Sequence, residues 1–315
     1  MYEEANWEKA PDLTTAAKSL ELEVDKCSLE YWIKAAAQGT WNGLVNGHKP
    51  EAEIPQYMLD ETPLRHALLE EFAGRSVSET IATKALSYLI INAPDVPSME
   101  FYVTQVVDEA RHASVFRGHL YELGISPADL PAIIDRYAHD QVNKVLLPLE
   151  EWALKVMRDD ADFVGGVIIV TVLVEGILAP SAELSHKKWK LINPAAAQIE
   201  HGANIDEIRH LIVGANIVKR HLQQNPGEKQ RILDMIVEGR QLWHDLPTDE
   251  IIFKREELFQ DGLSLVKDRI QGYELTEGLL LSESTSEQRL ELANQMTMDM
   301  QDSRLRYMGL EEAII

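Results

Sequence analysis

Two five-residue stretches, Asp108-Glu109-Ala110-Arg111-His112 and Asp206-Glu207-Ile208-Arg209-His210, share the pattern D-E-x-R-H. Each stretch lies in a segment with helical periodicity. The Glu and His of each stretch are three residues apart, so both side chains lie on one helix face and can bind one metal ion together. A single E-x-x-H arises easily, as residues 183–186 show, whereas two copies in the same five-residue context predict a two-metal site.

The sequence around these motifs predicts an all-α protein. Strand signals are scarce, and Pro and Gly separate segments with helical periodicity. The predicted helices cover residues 25–42, 59–73, 76–91, 97–123, 127–158, 162–190, 194–223, 227–244, 248–272 and 284–306.

No long linker or low-complexity tract divides the chain. We therefore expect a single domain over residues 1–315, with a di-metal core bundle at about 76–215 and flanking helices at 1–75 and 216–315. This length is sufficient for a sizeable core and exceeds that of a bare four-helix bundle.

Composition excludes several classes of function. The 315 residues include 30 Lys+Arg and 52 Asp+Glu, a formal charge of −22, which disfavours nucleic acid and anionic membranes as partners. The single Cys27 excludes a disulfide scaffold and Cys-based zinc or iron–sulfur sites, and fits a reducing compartment. The N-terminal residues lack an apolar signal region, and the apolar run 163–173 is too short to span a bilayer, so we expect a cytoplasmic protein.

A di-metal bundle also needs a carboxylate on the helix that faces each E-x-x-H helix. Counting back across the turn before the first motif places the residue level with Glu109 near position 79, which is Glu79. The same construction across the second turn reaches Glu175 as the partner of Glu207. Glu175 interrupts an apolar run, where a carboxylate is costly to bury unless it is paired or bound to metal.

The predicted metal ligands are four carboxylates and two imidazoles: Glu79, Glu109, His112, Glu175, Glu207 and His210. Glu70 or Glu71 is the alternative to Glu79, and an Arg paired with Glu175 is the alternative to metal at that position. Zinc normally takes fewer ligands with more nitrogen or sulfur, and calcium rarely takes imidazole, whereas iron or manganese suits this mixture.

Four further motif residues predict a layer that supports the ligands. Asp108 and Asp206 are each placed to accept a hydrogen bond from a ligand imidazole on the opposite motif helix, which fixes the tautomer of that ring. Arg111 and Arg209 would offset the excess of carboxylate charge. The alternative is that all four are surface charges.

These residues resemble the ferritin-like di-iron carboxylate oxygenases, over residues 76–215. Within that superfamily the chain is most similar to bacterial natural-product N-oxygenases, namely the p-aminobenzoate N-oxygenase type and the azoxy-forming di-iron enzyme of the valanimycin pathway. The resemblance implies a ferritin-like four-helix di-metal bundle with additional outer helices. The arylamine N-oxygenases carry a further His ligand four residues before the second-motif Glu, where this chain has Ala203, with His201 two residues earlier. A site of four Glu and two His is therefore expected.

The resemblance also implies a chemistry. It implies an oxygenase with two iron ions (Fe2+/Fe3+), with manganese as the alternative metal, that uses O2 and electrons from an external donor protein or reductant. The expected reaction is oxidation of nitrogen in a small-molecule amine, hydroxylamine or hydrazine of a biosynthetic pathway, by a homodimer with no catalytic side chain beyond the metal centre. The alternatives are a di-iron desaturase or C–H hydroxylase, and an iron-storage or structural metal-binding protein.

Residues on the ligand face, one or two turns from the metal, are predicted to line a substrate pocket. For most of them ordinary core packing is an equal alternative. The predicted pocket residues are Thr83, Tyr102, Gln105, Phe116, Thr171 and Ala203.

Overall fold

The computed structural model describes residues 3–37 and 45–314, and most of their regular structure is helical, which confirms the all-α prediction. The α-helices run, in chain order, over Leu29–Tyr31 (α1), Pro63–Asn92 (α2), Val96–Glu122 (α3), Leu130–Gln141 (α4), Leu147–Leu154 (α5), Phe163–Ile168 (α6), Glu175–Trp189 (α7), Pro194–Gln224 (α8), Lys229–Asp245 (α9), Thr248–Gly262 (α10) and Ser286–Met308 (α11).

Shorter elements extend or connect these helices. A small antiparallel hairpin of β1 (Glu274–Thr276) and β2 (Leu279–Leu280) lies between α10 and α11. Stretches of π-helix cover Trp32–Ala36, Val142–Leu146, Lys155–Asp159 and Ile169–Val174. Turns of 3-10 helix cover Ala16–Ser19, Val24–Lys26, Gln56–Met58, Pro226–Glu228, Leu263–Val266 and Glu311–Ala313.

Four long helical stretches pack into a bundle: α2, α3, α6 with α7, and α8. Helices α2 and α3 form one hairpin, and α7 and α8 form the other. Side-chain caps fix where three of these helices begin: Thr62 accepts from the backbone of α2, Asp95 from that of α3, and Asn193 from that of α8. Pro194 follows Asn193 in the first turn of α8, where its missing N–H costs no helical hydrogen bond.

The helical stretch Phe163–Trp189 is long and apolar enough to cross a membrane, but 78% of its most apolar window is buried inside the protein. It therefore serves as a core helix, as the sequence predicts. Helix α8 crosses it closely, because a Cβ added at Gly214 would lie 2.0 Å from Thr171 Oγ1. Glycine permits this approach beside the π-helical stretch that leads into Glu175.

The remaining helices cover the bundle from outside. Helix α10 packs on α2 and α11, while α11 packs on α7 and α8. Helix α4 packs along α2, and the π-helical stretch after α5 also contacts α2. The outer helices thus enclose the space between α2 and α7.

The structure corrects several predicted helix bounds. The predicted helices 59–73 and 76–91 form the single helix α2, which continues through Gly74 without a break. The side chain of Gln141 occupies the space beside Gly74. The predicted helix 248–272 ends at Gly262, and the hairpin that follows was not predicted. Residues 38–42 of the predicted helix 25–42 lie outside the described residues, and α1 begins at Leu29.

Candidate metal centre

The structure brings the predicted ligands together in the middle of the bundle. Helix α2 supplies Glu79, α3 supplies the first motif, α7 supplies Glu175 at its first residue, and α8 supplies the second motif. The ligand atoms form two groups, each within 4.8 Å: Glu79, Glu109 and His112, and Glu109, Glu175, Glu207 and His210. Glu109 belongs to both groups, so it is placed to bridge two metal ions.

Both histidine rings point Nδ1 toward the carboxylates. His112 Nδ1 lies 3.2 Å from Glu109 Oε2 and 3.9 Å from Glu79 Oε2. His210 Nδ1 lies 3.2 Å from the other oxygen of Glu109 and 3.8 Å from an oxygen of each remaining carboxylate in its group. The two oxygens of one carboxylate thus face two imidazoles, an arrangement suited to a pair of metal ions.

The protonation of the four carboxylates reflects their crowding. Burial raises the pKa of Glu79 well above its usual range, and Glu109 raises it further. Burial and then Glu207 raise the pKa of Glu175 in the same way. Burial also opposes ionisation of Glu109, but the neighbouring imidazoles of His112 and His210 hold its pKa well below the usual range. Without cations this site must hold extra protons, and bound divalent metals would take their place.

Several buried atoms at the site lack a hydrogen-bond partner among the described residues: Glu109 Oε1, Glu175 Oε2, Glu207 Oε2 and His210 Nδ1. Leaving a buried polar group unsatisfied costs about 1–3 kcal/mol. Gln105 Nε2 donates to Glu175 Oε1 at 2.5 Å, which leaves the other oxygen of Glu175 for a metal. The residues fit two ions that take oxygen and imidazole donors, as iron and manganese do. Their role as ligands stays a prediction.

The imidazoles of His112 and His210 each contact the aspartate of the opposite motif helix through Nε2, the nitrogen that faces away from the carboxylate cluster. His112 Nε2 donates to Asp206 Oδ2 at 3.1 Å, and His210 Nε2 donates to Asp108 Oδ2 at 3.3 Å. Because Nε2 carries this bond, Nδ1 of each ring faces the centre. The arginine of each motif donates to the same opposite aspartate: Arg111 to Asp206 at 2.7 Å, and Arg209 to Asp108.

We expect Asp108→Asn and Asp206→Asn each to weaken metal binding at the histidine they contact, by about ten- to a hundredfold. An amide nitrogen in place of the carboxylate oxygen opposes the Nε2–H tautomer and the ring orientation. Competition against a chelator measures the affinity, with the exposed Asp234→Asn as control. Unchanged affinity in both variants would refute this role.

A further group of possible ligands, His48, His119 and Glu122, lies at the C-terminal end of α3. Glu122 accepts from His119 Nδ1 at 2.9 Å and from His48 Nε2 at 3.0 Å. Asn193 Oδ1 accepts from Ala196 N, so the amide nitrogen of Asn193 faces His119 Nε2 at 3.2 Å. His119 Nε2 is therefore the acceptor, and Nδ1 carries the proton. The contacts of this group form a hydrogen-bond network.

This network predicts a pH-dependent stability. Burial opposes ionisation of Glu122, but His119 and His48 lower its pKa to about 2, and the bond to Glu122 raises the pKa of His48. The stabilisation by Glu122 is therefore full above its ordinary pKa of about 4.5 and is lost as pH falls toward 2. We expect Glu122→Gln to cost about 1.5–3 kcal/mol of unfolding free energy near pH 6.

Urea unfolding near pH 6 and near pH 3 measures this effect, with the exposed Glu291→Gln as control. The difference between the wild-type chain and Glu122→Gln should shrink near pH 3, because the Glu122 carboxyl of the unfolded wild-type chain is then protonated and unfolding takes up a proton. The part contributed by His48 should in turn be lost as pH rises through its raised pKa. A difference of equal size at both pH values would contradict this assignment.

A largely apolar cavity opens from the carboxylate cluster between α2, α7 and the outer helices. Its wall includes all four predicted carboxylate ligands together with Ala203. Aliphatic side chains form much of the remainder, including Leu86, Leu149, Met157, Val170, Leu178 and Ile251. A substrate with an apolar body therefore has access to the predicted metal centre.

Of the six predicted pocket residues, Ala203 lines this cavity, while the wall described for it does not include the other five. Four of those five contact other helical segments of the bundle, and Thr83 contacts its own helix. Gln105 contacts Glu175, Thr83 donates to the carbonyl of Glu79, Phe116 packs on Phe72, Tyr102 packs on Phe163, and Thr171 packs on Gly214. The outer helices supply much of the wall instead.

The structure corrects two further interpretations of the sequence. The sequence suggests that Glu183 is a surface group, but only 5% of it is exposed, and Asn204 donates to it at 3.1 Å. His201 lies two residues before the position at which the arylamine N-oxygenases carry their extra histidine ligand. Its Nε2 contacts the backbone carbonyl of Trp7 at 3.0 Å, and it lies outside both ligand groups. Sequence reasoning also missed Trp32, whose Nε1 donates to Asp108 at 3.0 Å. Trp32 lies in the predicted helix 25–42, but periodicity does not show which part of the bundle such a helix contacts.

Comparison with known proteins adds information on the fold. No protein-family model and no curated protein sequence matches this chain. Among solved structures it is similar to "Protein 19 with aldehyde deformylating oxidase activity from Synechococcus", with a TM-score of 0.53 and 18% sequence identity over 78% of this chain and 93% of that chain. The identity is low, so the likeness speaks for the fold alone. The chain has an all-α, ferritin-like fold, a four-helix bundle with additional outer helices.

Proposed function

We propose that this chain is a di-iron oxygenase that oxidises a small molecule with O2 and an external reductant. The observation that carries the proposal is the pair of histidine–carboxylate groups that share Glu109 in the wall of an apolar cavity. A storage or structural metal site needs no such cavity. The name of the solved structure, which refers to an oxidase activity of that protein, also supports an oxidoreductase.

The side chains of this chain have distinct tasks in the proposed reaction. When bound, the iron pair supplies the electrons and coordination sites for O2 chemistry. Glu109 fixes the separation of the two metal positions, and Asp108 and Asp206 hold the histidine tautomers. Gln105 orients Glu175. The aliphatic wall excludes water, which protects reactive species from side reactions.

For the substrate, we propose nitrogen in a small amine, hydroxylamine or hydrazine. The support is the resemblance of the doubled D-E-x-R-H pattern and the outer helices to the natural-product N-oxygenases. Ala203 at the position of the extra histidine separates the chain from the arylamine N-oxygenases. We further propose that the protein acts as a cytoplasmic homodimer.

A second candidate is a desaturase or C–H hydroxylase. One observation favours it: the cavity wall is mostly aliphatic, which suits a hydrocarbon chain as well as an amine. The two candidates predict different products from the same metal centre.

The test is to load the protein with Fe(II) without oxygen, add O2 and a reductant, and identify products by mass spectrometry. The substrate panel holds alkyl amines, hydroxylamines, hydrazines and fatty acids of matched chain length. N-oxidised products support the proposal, while hydroxylated or desaturated chains support the second candidate. Iron uptake far above two ions per chain without turnover would favour storage and refute both.

A further inference from the structure

Arg255 lies in the cavity wall without a hydrogen bond from its side chain to any other residue that the structure describes. Arg255 on α10 lines the cavity, and its side chain is only 13% exposed. No hydrogen bond from its guanidinium occurs within the described residues, and its Nε is buried without a partner. A buried N–H donor such as this Nε is expensive to leave unsatisfied. Such an arginine indicates a missing acceptor.

The nearest carboxylate does not supply that acceptor. Glu71 Oε2 lies 4.0 Å from Arg255 Nε, which is too long for a hydrogen bond, and Glu71 already accepts from Trp189 Nε1 at 3.2 Å. Arg75, one turn further along α2, differs because it forms an ion pair with Glu200 at 3.0 Å. Of these two cavity arginines, Arg255 is therefore the one whose guanidinium lies farther from its carboxylate.

Two neutral polar groups in the same wall are also unsatisfied. Gln141 Oε1 and Thr248 Oγ1 are buried and have no hydrogen-bond partner in the described part of the chain, and both residues line the cavity. The amide of Gln141 rests on Gly74, where an added Cβ would lie 2.1 Å from Oε1. Gly74 lies one turn from Glu71, so Gln141 and Arg255 contact the same part of α2.

This polar part of the cavity lies at a defined distance from the predicted metal ligands. Glu71 and Glu79 are eight residues apart on α2, which corresponds to about 12 Å at 1.5 Å per residue. Aliphatic residues such as Ile251 and Leu178 also line the same cavity. The cavity therefore offers a cation, an apolar wall and the carboxylate cluster to one bound molecule.

We propose that Arg255, with Gln141 beside it, binds the carboxylate of an amphiphilic substrate whose apolar body extends toward Glu79. A carboxylate can accept two parallel hydrogen bonds from a guanidinium and one from the amide of Gln141. The reacting group then lies at the opposite end of the molecule from the carboxylate. The assignment of a reacting end rests on the proposed function, whereas the binding of the carboxylate does not depend on it.

The test compares octanoate, octanol and octylamine as ligands of the metal-loaded protein under argon, by isothermal titration calorimetry. Octanoate should bind about ten- to a hundredfold more tightly than octanol, as expected for hydrogen bonds to a charged group. Arg255→Gln should abolish this preference and leave octanol binding unchanged, while Arg255→Lys should retain part of it. Lys254→Gln, on the exposed side of the same helix, is the matched control and should behave as wild type.

Equal affinities for octanoate and octanol in the wild-type protein would overturn the proposal. A preference that survives Arg255→Gln would also overturn it, because octanoate would then be bound by the metals. If Arg255→Gln does not fold, Gln141→Leu decides: a severalfold loss in octanoate affinity alone supports the proposal, and no change refutes it. Binding needs no turnover, so an intact preference without any oxidised product would refute the oxygenase and leave this site standing.

Discussion

Replacing Glu109 by Gln is expected to remove metal from both halves of the site. Its two oxygens lie 3.2 Å from the Nδ1 atoms of His112 and His210, and it is the residue common to the two ligand groups. An amide presents a single oxygen and no charge, so neither metal position keeps its bridge. We expect more than about a hundredfold loss of metal affinity, since groups one step further from a metal already contribute ten- to a hundredfold.

Metal analysis after equilibration with limiting Fe(II) gives the decisive pattern. Glu109→Gln should retain well under one ion per chain, whereas Glu79→Gln should retain the ion next to His210 and lose the one next to His112. Glu100→Gln, elsewhere on α3, is the control and should bind both ions. Retention of two ions by Glu109→Gln would show that the two positions are held separately. The proposed bridge would then be wrong.

The positions of the predicted ligands followed from the sequence because they depend on local geometry. Two residues three apart on a helix share a face, and residues equidistant from a tight turn lie level in a helix hairpin. A proline in the first turn of α3 and the capping Asp95 fix the turn between α2 and α3. Counting back across this turn reached Glu79, and the structure places Glu79 Oε2 3.9 Å from His112 Nδ1. The doubled motif also predicted that Asp108 and Asp206 each contact the imidazole of the opposite motif helix.

The cavity could not be predicted by that reasoning. Periodicity shows which face of a helix is apolar, but the wall of this cavity depends on where α4, α5 and α10 leave that face uncovered. The wall described for the cavity accordingly includes one of the six predicted pocket residues, Ala203, and Arg255 was not recognised. The buried state of Glu183 was missed for the same reason, because the N-terminal segment that covers it has little helical pattern.

A buried network of charged residues attaches the outer helices α10 and α11 to the bundle. Arg289 on α11 is fully buried and donates to Glu256 Oε2 at 2.5 Å and to Ser284 O at 2.8 Å. Lys188 on α7 binds the other oxygen of Glu256. Burial opposes ionisation of Glu256, but the two cations hold its pKa below the usual range. This network joins α7, α10 and α11.

We expect Arg289→Met to lower the free energy of unfolding by about 3–5 kcal/mol, because it leaves the buried Glu256 with one cation and removes the donor to Ser284. Urea unfolding followed by circular dichroism measures the change. Adding Glu256→Gln should cost less than the sum of the two single changes, since the unpaired carboxylate is then gone. Arg306→Met, at an exposed position of the same helix, should stay within about 0.5 kcal/mol of wild type.

The shape of the unfolding curve tests the proposal that residues 1–315 form one domain. If α10 and α11 belong to the same cooperative unit as the bundle, Arg289→Met shifts a single transition and leaves its slope unchanged. An early transition that releases the outer helices while the bundle stays folded would show two units. Since α10 carries Arg255 and Thr248, that result would also predict loss of octanoate binding before loss of metal. A change below about 1 kcal/mol would show that the buried network contributes little net stability.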